Sequence, residues 1–376
     1  GFEVSFLWVI RHDGTTWLPL RVSRETVAQL VRRIRKSLDV ADVASLNDLP
    51  VFDAEAAHEL YRLILQPAEK ALSGASRLLL VPDGALQSLP FHVLLTAPAG
   101  AAAEFANYRN MPWLGNVIAM STLPTVSSLR TLRQDKPPSK ASWTFLGVGD
   151  PDLDGNQAAS RGIVSRLYAA RGIADVDAVR ALPALPETED ELIQMAKSFG
   201  MGREALLLDD DASETELRAW NLADTKVIAF ATHGLVTGDI GELGEPALVL
   251  TPPDEPSPEN DGLLTASEIA RLKLDADLVI LSACNTAASD GTPGAAALSG
   301  LTRSFFHAGA RGLLVSHWPV SSQAAVKLTT GFFSNIESAG GRAAALKLAM
   351  YNLQNDERPV FAHPAFWAPF VLVGLP

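Results

Sequence analysis

Along this chain the spacing of apolar residues switches repeatedly between two patterns, and each switch marks a predicted element. Short runs that are apolar at nearly every position recur at Thr144 to Val148, Leu206 to Leu208, Val227 to Ala231, Leu278 to Leu281, Gly312 to Ser316 and Phe370 to Val373. Runs of this length without polar alternation predict strands buried on both faces. Between them, helical spacing predicts helices over Glu187 to Phe199, Ser213 to Leu222, Thr265 to Leu272, Ala295 to Ala308, Ser322 to Ile336 and Arg342 to Leu353. Strands that alternate with helices give a mainly parallel sheet covered on both faces, an α/β fold.

The first third reads differently. Val4 to Ile10 and Trp17 to Val22 predict two strands around a turn at Asp13-Gly14, and Ser23 caps a helix over Arg24 to Leu38. The Arg32, Arg33, Arg35 and Lys36 cluster on that helix is expected to be a solvated face. A second helix over Ala54 to Leu72, a strand over Arg77 to Val81, a turn at Pro82-Asp83-Gly84 and an apolar run at Leu89 to Leu94 suggest a second, smaller α/β layer. The stretch Arg133 to Ser142, with Pro137-Pro138, is the best boundary. Two domains are therefore expected, 1–135 and 141–376.

Composition narrows the function classes. The 376 residues are 47% hydrophobic and 20% charged, an ordinary folded composition. A formal charge of −12 argues against a nucleic-acid partner, since affinity for phosphate backbones comes from clustered Lys and Arg. No apolar stretch approaches the roughly 18 residues of a membrane span, and the first ten residues lack the features of a signal peptide. The missing initiator Met suggests a fragment of something longer. A single cysteine cannot form an internal disulfide, and no Cys/His cluster has zinc spacing. A cytoplasmic chain with no metal or other cofactor is expected.

That cysteine, Cys284, stands just past the strand ending at Leu281, after Ser282-Ala283, and His233, 51 positions earlier, stands just past the strand ending at Ala231, after Thr232. In open α/β sheets, ligands bind beyond the carboxyl ends of parallel strands. A thiol and an imidazole at two such ends make a nucleophile and base pair, and His before Cys at this separation is the local order of caspase-type enzymes. Taken singly, each is more often a core residue.

The flanking residues carry a resemblance. Phe230-Ala231-Thr232-His233-Gly234, Asp261-Gly262-Leu263-Leu264-Thr265-Ala266-Ser267-Glu268-Ile269 and Leu281-Ser282-Ala283-Cys284-Asn285-Thr286-Ala287 resemble the core of the CHAT domain. So do Ala308-Gly309-Ala310, Trp318-Pro319-Val320 and His363 to Phe370. Earlier pieces fit as well: Val81 to Leu86, and Leu182-Pro183 with Glu187 to Glu191. The resemblance spans nearly the whole chain and places it in the caspase and separase-like clan of cysteine peptidases. It departs at Asn285, where many relatives carry Glu, and at His317, where they carry Leu.

The resemblance implies a caspase-like α/β/α sandwich preceded by a smaller, pseudo-protease-like α/β domain. It implies a cysteine endopeptidase acting on one or few protein or peptide substrates, controlled by a helical-repeat or sensor module. Cys284 is then the nucleophile, His233 the base and acid, and the amides of Gly234 and Cys284 the oxyanion donors. No residue that orients the imidazole is evident. Ser282, where basic-residue-specific members of the clan place Asp, together with His317 and Trp318, is expected to line the substrate pocket. Between His233 and Cys284, the loop 237–262 carries Asp239, Glu242, Glu245, Asp254, Glu255, Glu259 and Asp261 without Lys or Arg. It is read as mainly solvated, with some attraction for a basic substrate.

The alternative is a catalytically inactive CHAT-type scaffold for protein binding, which would have no physical need of both His233 and Cys284. Other enzyme classes fit poorly. There is no Gly-x-Ser-x-Gly elbow, and His58-Glu59-Leu60-Tyr61-Arg62 lacks the second zinc histidine. Gly147-Val148-Gly149-Asp150-Pro151-Asp152 breaks the dinucleotide fingerprint at its third glycine.

Overall fold

A computed structural model of the chain describes residues 5–40, 48–102, 104–129, 139–155, 168–169, 173–235, 245–282, 295–318 and 320–375. The first of these form an antiparallel hairpin, Ser5–Arg11 (β1) and Gly14–Leu20 (β2). Helix α1 (Arg24–Lys36) follows, with Ser23 Oγ accepting from the Thr26 amide as its cap. Helix α2 (Ala54–Ile64) comes next, and Gln66 to Leu72 continues as a short 3-10 turn and one further helical turn.

Strands β3 (Arg77–Leu80), β4 (Ala119–Thr122), β5 (Trp143–Pro151), β8 (Leu206–Asp209), β9 (Thr225–Ala231), β13 (Leu278–Leu281), β14 (Gly312–Ser316) and β15 (Phe370–Gly374) build one sheet in the order β3-β4-β15-β14-β13-β9-β5-β8. All neighbours run parallel except β14 and β15. Two minor sheets stand apart: the pair β6 (Tyr168–Ala169) and β7 (Ile173–Ala174), and the antiparallel trio β10 (Gly234–Leu235), β11 (Ala247–Val249) and β12 (Leu263–Thr265).

The unbroken apolar runs are explained by strands with both faces covered. Phe145, Val227, Ala229, Leu278, Ile280 and Leu314 face one core, shared with Leu192 of α3 (Glu187–Ser198) and with Leu328 and Leu346 of two later helices. Their chain neighbours Leu146, Ile228, Phe230, Val279, Leu281, Leu313 and Val315 face a second core. That core includes Leu301 and Phe305 of α4 (Ala295–Ala308). The two later helices are α5 (Ser322–Asn335) and α6 (Arg342–Gln354). The result is the expected α/β/α sandwich around a mainly parallel sheet.

The first segment is joined to this sheet edge to edge, because β3 and β4 extend it beyond β15. The expected boundary falls between β4 and β5, where 130–138 lie outside the described residues. Leu89 to Leu94 is no strand: Phe91–Val93 is a 3-10 turn, and Pro90 has no N–H to give a ladder. The cluster on α1 is only partly solvated. Arg33 pairs with Asp53 at 2.9 Å, whereas Arg35 is 5% exposed and its Nη2 donates to the His317 carbonyl at 2.8 Å. Its guanidinium also stacks 4.9 Å from the Trp318 ring centre.

The Asp261-to-Glu268 motif is a structural clasp for the β10-β11-β12 sheet. Thr265 and Glu268 form a capping box over Ala266–Ile269. Gly262 holds φ +87, and a Cβ there would sit 2.9 Å from Pro252. Glu214, fully buried, accepts the amides of Asp261 and Gly262, and Arg218 bridges Glu214 and Glu268 at 3.0 and 2.9 Å. Burial, and secondarily Glu268, push the Glu214 carboxyl up to about 7. Arg218→Ala would leave two buried carboxyls without their cation. We expect a loss of roughly 1–3 kcal/mol, less than for a fully buried pair because Arg218 is about a third exposed. Urea unfolding of the variant measures it, and an unshifted midpoint would show that the clasp is not electrostatic.

Candidate active site

Strands β9 and β13 are parallel neighbours, with Leu278 paired to Val227 and Leu281 to Phe230. The Ser282 amide continues the ladder by donating to the Phe230 carbonyl at 2.9 Å. On the other side, the buried Ser316 hydroxyl donates to the Leu281 carbonyl at 3.0 Å. The exit of β13 is thus held from both flanks, at the rim of the sheet where His233 stands. Cys284 follows Ser282 by two residues and lies outside the described residues, as does Asn285.

His233 is held by its backbone and its ring. The buried Thr232 hydroxyl donates to the Val249 carbonyl at 2.6 Å, and the Val249 amide returns a bond to the His233 carbonyl at 2.9 Å. Gly234 begins β10, buried, opposite Leu248. In the ring, Nε2 lies 2.7 Å from the Pro183 carbonyl oxygen. A carbonyl only accepts, so Nε2 carries the hydrogen and Nδ1 keeps the lone pair. Burial lowers the imidazole pKa, while the Pro183 carbonyl and Glu187 pull it back up. The neutral ring is therefore the form present at neutral pH, with Nδ1 as its basic nitrogen.

Pro183 is itself anchored. The Gly155 amide donates to the Leu182 carbonyl at 3.0 Å, and the Ala184 amide donates to the Gly155 carbonyl at 3.2 Å. A side chain at Gly155 would collide with the carbonyls of Ala181 and Leu182, so this close approach requires glycine. Sequence reasoning found no residue orienting the imidazole. The structure supplies one as a backbone carbonyl, whose role the residue type cannot announce.

Helix α3 begins four residues after Pro183 and packs along β5, with Leu192 against Gly147 and Gly149. Its buried Glu191 lies against Ser282, whose hydroxyl hydrogen-bonds to the carboxyl. Burial pushes Glu191 up to about 7; Ser282 lowers it and Glu187 raises it. At the end of β5, Asp150 is pushed up to about 6 by burial and then by Asp209, Glu189, Glu187 and Asp152. The Asp150 amide donates to Thr188 Oγ1 at 3.0 Å.

His317 and Trp318 are built into the interior. His317 is 5% exposed and lines a small cavity of about 60 Å³ together with His92 and Ser121. Burial, and next the charge of Arg35, depress its pKa to about 3. Trp318 donates from Nε1 to the Ala365 carbonyl at 2.8 Å. His363 is also structural: Nδ1 accepts the Ala365 amide at 3.2 Å, and Nε2 donates to the Pro50 carbonyl at 3.0 Å. In the acidic loop, Asp261 is buried and accepts the amides of Ala174 and Leu263, and Glu245 accepts that of Ser267. Asp239 and Glu242 lie outside the described residues.

Comparison with known proteins adds the family. Tetratricopeptide repeat protein 28 of Mus musculus is 27% identical over 350 residues, covering 84% of this chain and 13% of that protein. The Homo sapiens protein of the same name is 26% identical over 349 residues, with the same coverage. The chain thus spans about an eighth of these relatives. Among solved structures, the Arg specific cysteine proteinase gingipain R superposes over 94% of this chain and 74% of its own, at 10% identity and a TM-score of 0.45. The complex of Porphyromonas gingivalis RgpB pro- and mature domains gives 11% and 0.44 over 94% and 76%. The profile of the CHAT domain matches residues 54–375, and this chain belongs to the CHAT domain family.

Proposed function

We propose that the chain is a cysteine endopeptidase in which His233 activates Cys284. The observation that carries this reading is the Pro183 carbonyl on His233 Nε2, which leaves Nδ1 as the acceptor at the rim where β13 delivers the chain toward Cys284.

In this reading Nδ1 takes the thiol proton and the sulfur bonds to the scissile carbonyl carbon. The oxyanion accepts hydrogen bonds from the amides of Gly234 and Cys284. The C–N bond then breaks as the imidazolium gives its proton to the leaving amine, forming a thioester. Water attacks the thioester, gives one proton to His233 and releases the acid, and that proton returns to the thiolate. The resting proton count is restored. The tetratricopeptide repeats named in the relatives fit a helical-repeat module as the controlling partner. The segment 1–135 serves as the partner layer through which such a module could act. Residues Ser282, His317 and Trp318 contribute differently: Ser282 stands at the rim, while the other two brace it from within.

Labelling with a panel of peptidyl electrophiles, followed by peptide hydrolysis, tests the reading. Cys284→Ala abolishes both, and His233→Ala lowers kcat/KM by roughly 10²–10⁴-fold. A wild-type chain that neither labels nor hydrolyses peptides, with partner binding unchanged in Cys284→Ala, would instead favour the inactive scaffold. Because the folded imidazole titrates below its usual value of about 6.5, the base stays neutral as pH falls to 6.5, and the acid limb of kcat/KM sits lower; a limb above 6.5 contradicts this. Gly155→Ala, which displaces Pro183 without touching substrate, is expected to lower kcat more than it raises KM and to shift that limb.

A further inference from the structure

A carboxyl with no cation stands beside the rim just described. Glu191 is 3% exposed, and its Oε1 has no hydrogen-bond partner among the described residues. Burial and Glu187 both disfavour its charge, and the Ser282 hydroxyl alone favours it. Taking a carboxyl out of water in this way is costly unless a partner arrives. Other groups that need no ligand would be a capped helix end or a bridged pair, and Glu191 is neither.

Its neighbours repeat the sign. Glu187 lies one turn earlier on α3, and residues four apart share a face of a helix. Glu187 acts electrostatically on His233, on Glu191 and on Asp150, so the four groups gather at one place. Among the described residues, Arg203 pairs with Glu189 at 2.7 Å and lies 3.8 Å from Asp209, and is itself largely exposed. The position is specific as well. Ser282 precedes Cys284 by two residues, and the side chain that precedes a scissile carbonyl branches from the atom next to the one the thiol attacks.

We propose that Glu191, supported by Glu187 and Asp150, receives a lysine or arginine side chain immediately before the scissile bond, so that the peptidase cuts after basic residues. This rests on the peptidase reading above and names its substrate class. A guanidinium brings the missing charge and a donor for the bare Oε1, and its planar set of N–H groups matches a carboxylate. An acidic side chain would meet like charge, and an apolar one would leave the carboxyl unanswered. The acidic selector absent at Ser282 is thus provided from another element, through the residue that Ser282 touches.

Calorimetry on the Cys284→Ala chain tests binding without cleavage, with peptides carrying arginine or its neutral isostere citrulline before the scissile bond. Arginine is expected to bind roughly tenfold or more tighter, as a charge-assisted contact implies. Adding Glu191→Gln brings the ratio close to one. Glu187→Gln, which changes an exposed side chain, lowers the ratio partway and keeps the test alive if the first variant fails to fold. Equal affinities in the Cys284→Ala chain, or an unchanged ratio in a folded Glu191→Gln variant, overturn the proposal. Iodoacetamide alkylation of Cys284 separates the two levels. His233-dependent alkylation with equal affinities refutes the selector and keeps the peptidase. A preference for arginine without such alkylation refutes the peptidase, and with it cutting after basic residues.

Discussion

The hydrogen bond between the His233 ring and the Pro183 carbonyl is the constraint on which the site depends. Its net worth to stability is only about 1 kcal/mol, yet its chemical consequence is large. A ring nitrogen held against an oxygen that cannot donate must carry a hydrogen, and in the neutral ring the opposite nitrogen then keeps its lone pair. The surroundings are arranged to keep this geometry. The close approach at Gly155 fixes Pro183, and the exchange between Thr232, His233 and Val249 fixes the backbone that carries the ring. Burial then keeps the ring neutral, so orientation and protonation state come from the same packing.

A second set of contacts ties the first segment to the rim. Arg35 of α1 grips the His317 carbonyl and stacks on Trp318, and Trp318 in turn donates to Ala365. His363 reaches back to the Pro50 carbonyl, and Trp113 packs edge-on against Trp367 at 5.1 Å. Since β3 and β4 also extend the main sheet, this segment is coupled to the exit of β14 through charge, aromatic packing and a shared ladder. The Trp318 and His363-to-Phe370 motifs are therefore the mortar of that junction, which explains aromatic residues there without assigning them to substrate.

Much of the fold was legible because both-face burial writes itself into a sequence as unbroken apolar runs. Leu278–Leu281 and Gly312–Ser316 match their predicted bounds for this reason. Elements with weaker signals escaped. β4, Ala119–Thr122, is short and mixes Ala, Met, Ser and Thr; the pairing of β10, β11 and β12 is set by tertiary contacts across a long loop. The apolar run Leu89 to Leu94 is a buried turn, a form that apolar content alone does not distinguish from a strand. At the site, the imidazole could be found from its strand, whereas a backbone carbonyl 50 positions away leaves no mark in residue identity. Glu191 was visible as part of a helix and of the motif Glu187 to Glu191, without a role, and Arg35 only as part of a charge cluster. Which member of a cluster turns inward is decided by the neighbours it meets, here His317 and Trp318.

The most direct measurement is nitrogen-15 NMR of the His233 ring at neutral pH, assigned by difference from His233→Ala. A neutral ring protonated on Nε2, with Nδ1 bare, is the predicted result. A ring protonated on Nδ1, or a charged imidazolium at that pH, would contradict the assignment of His233 as the base.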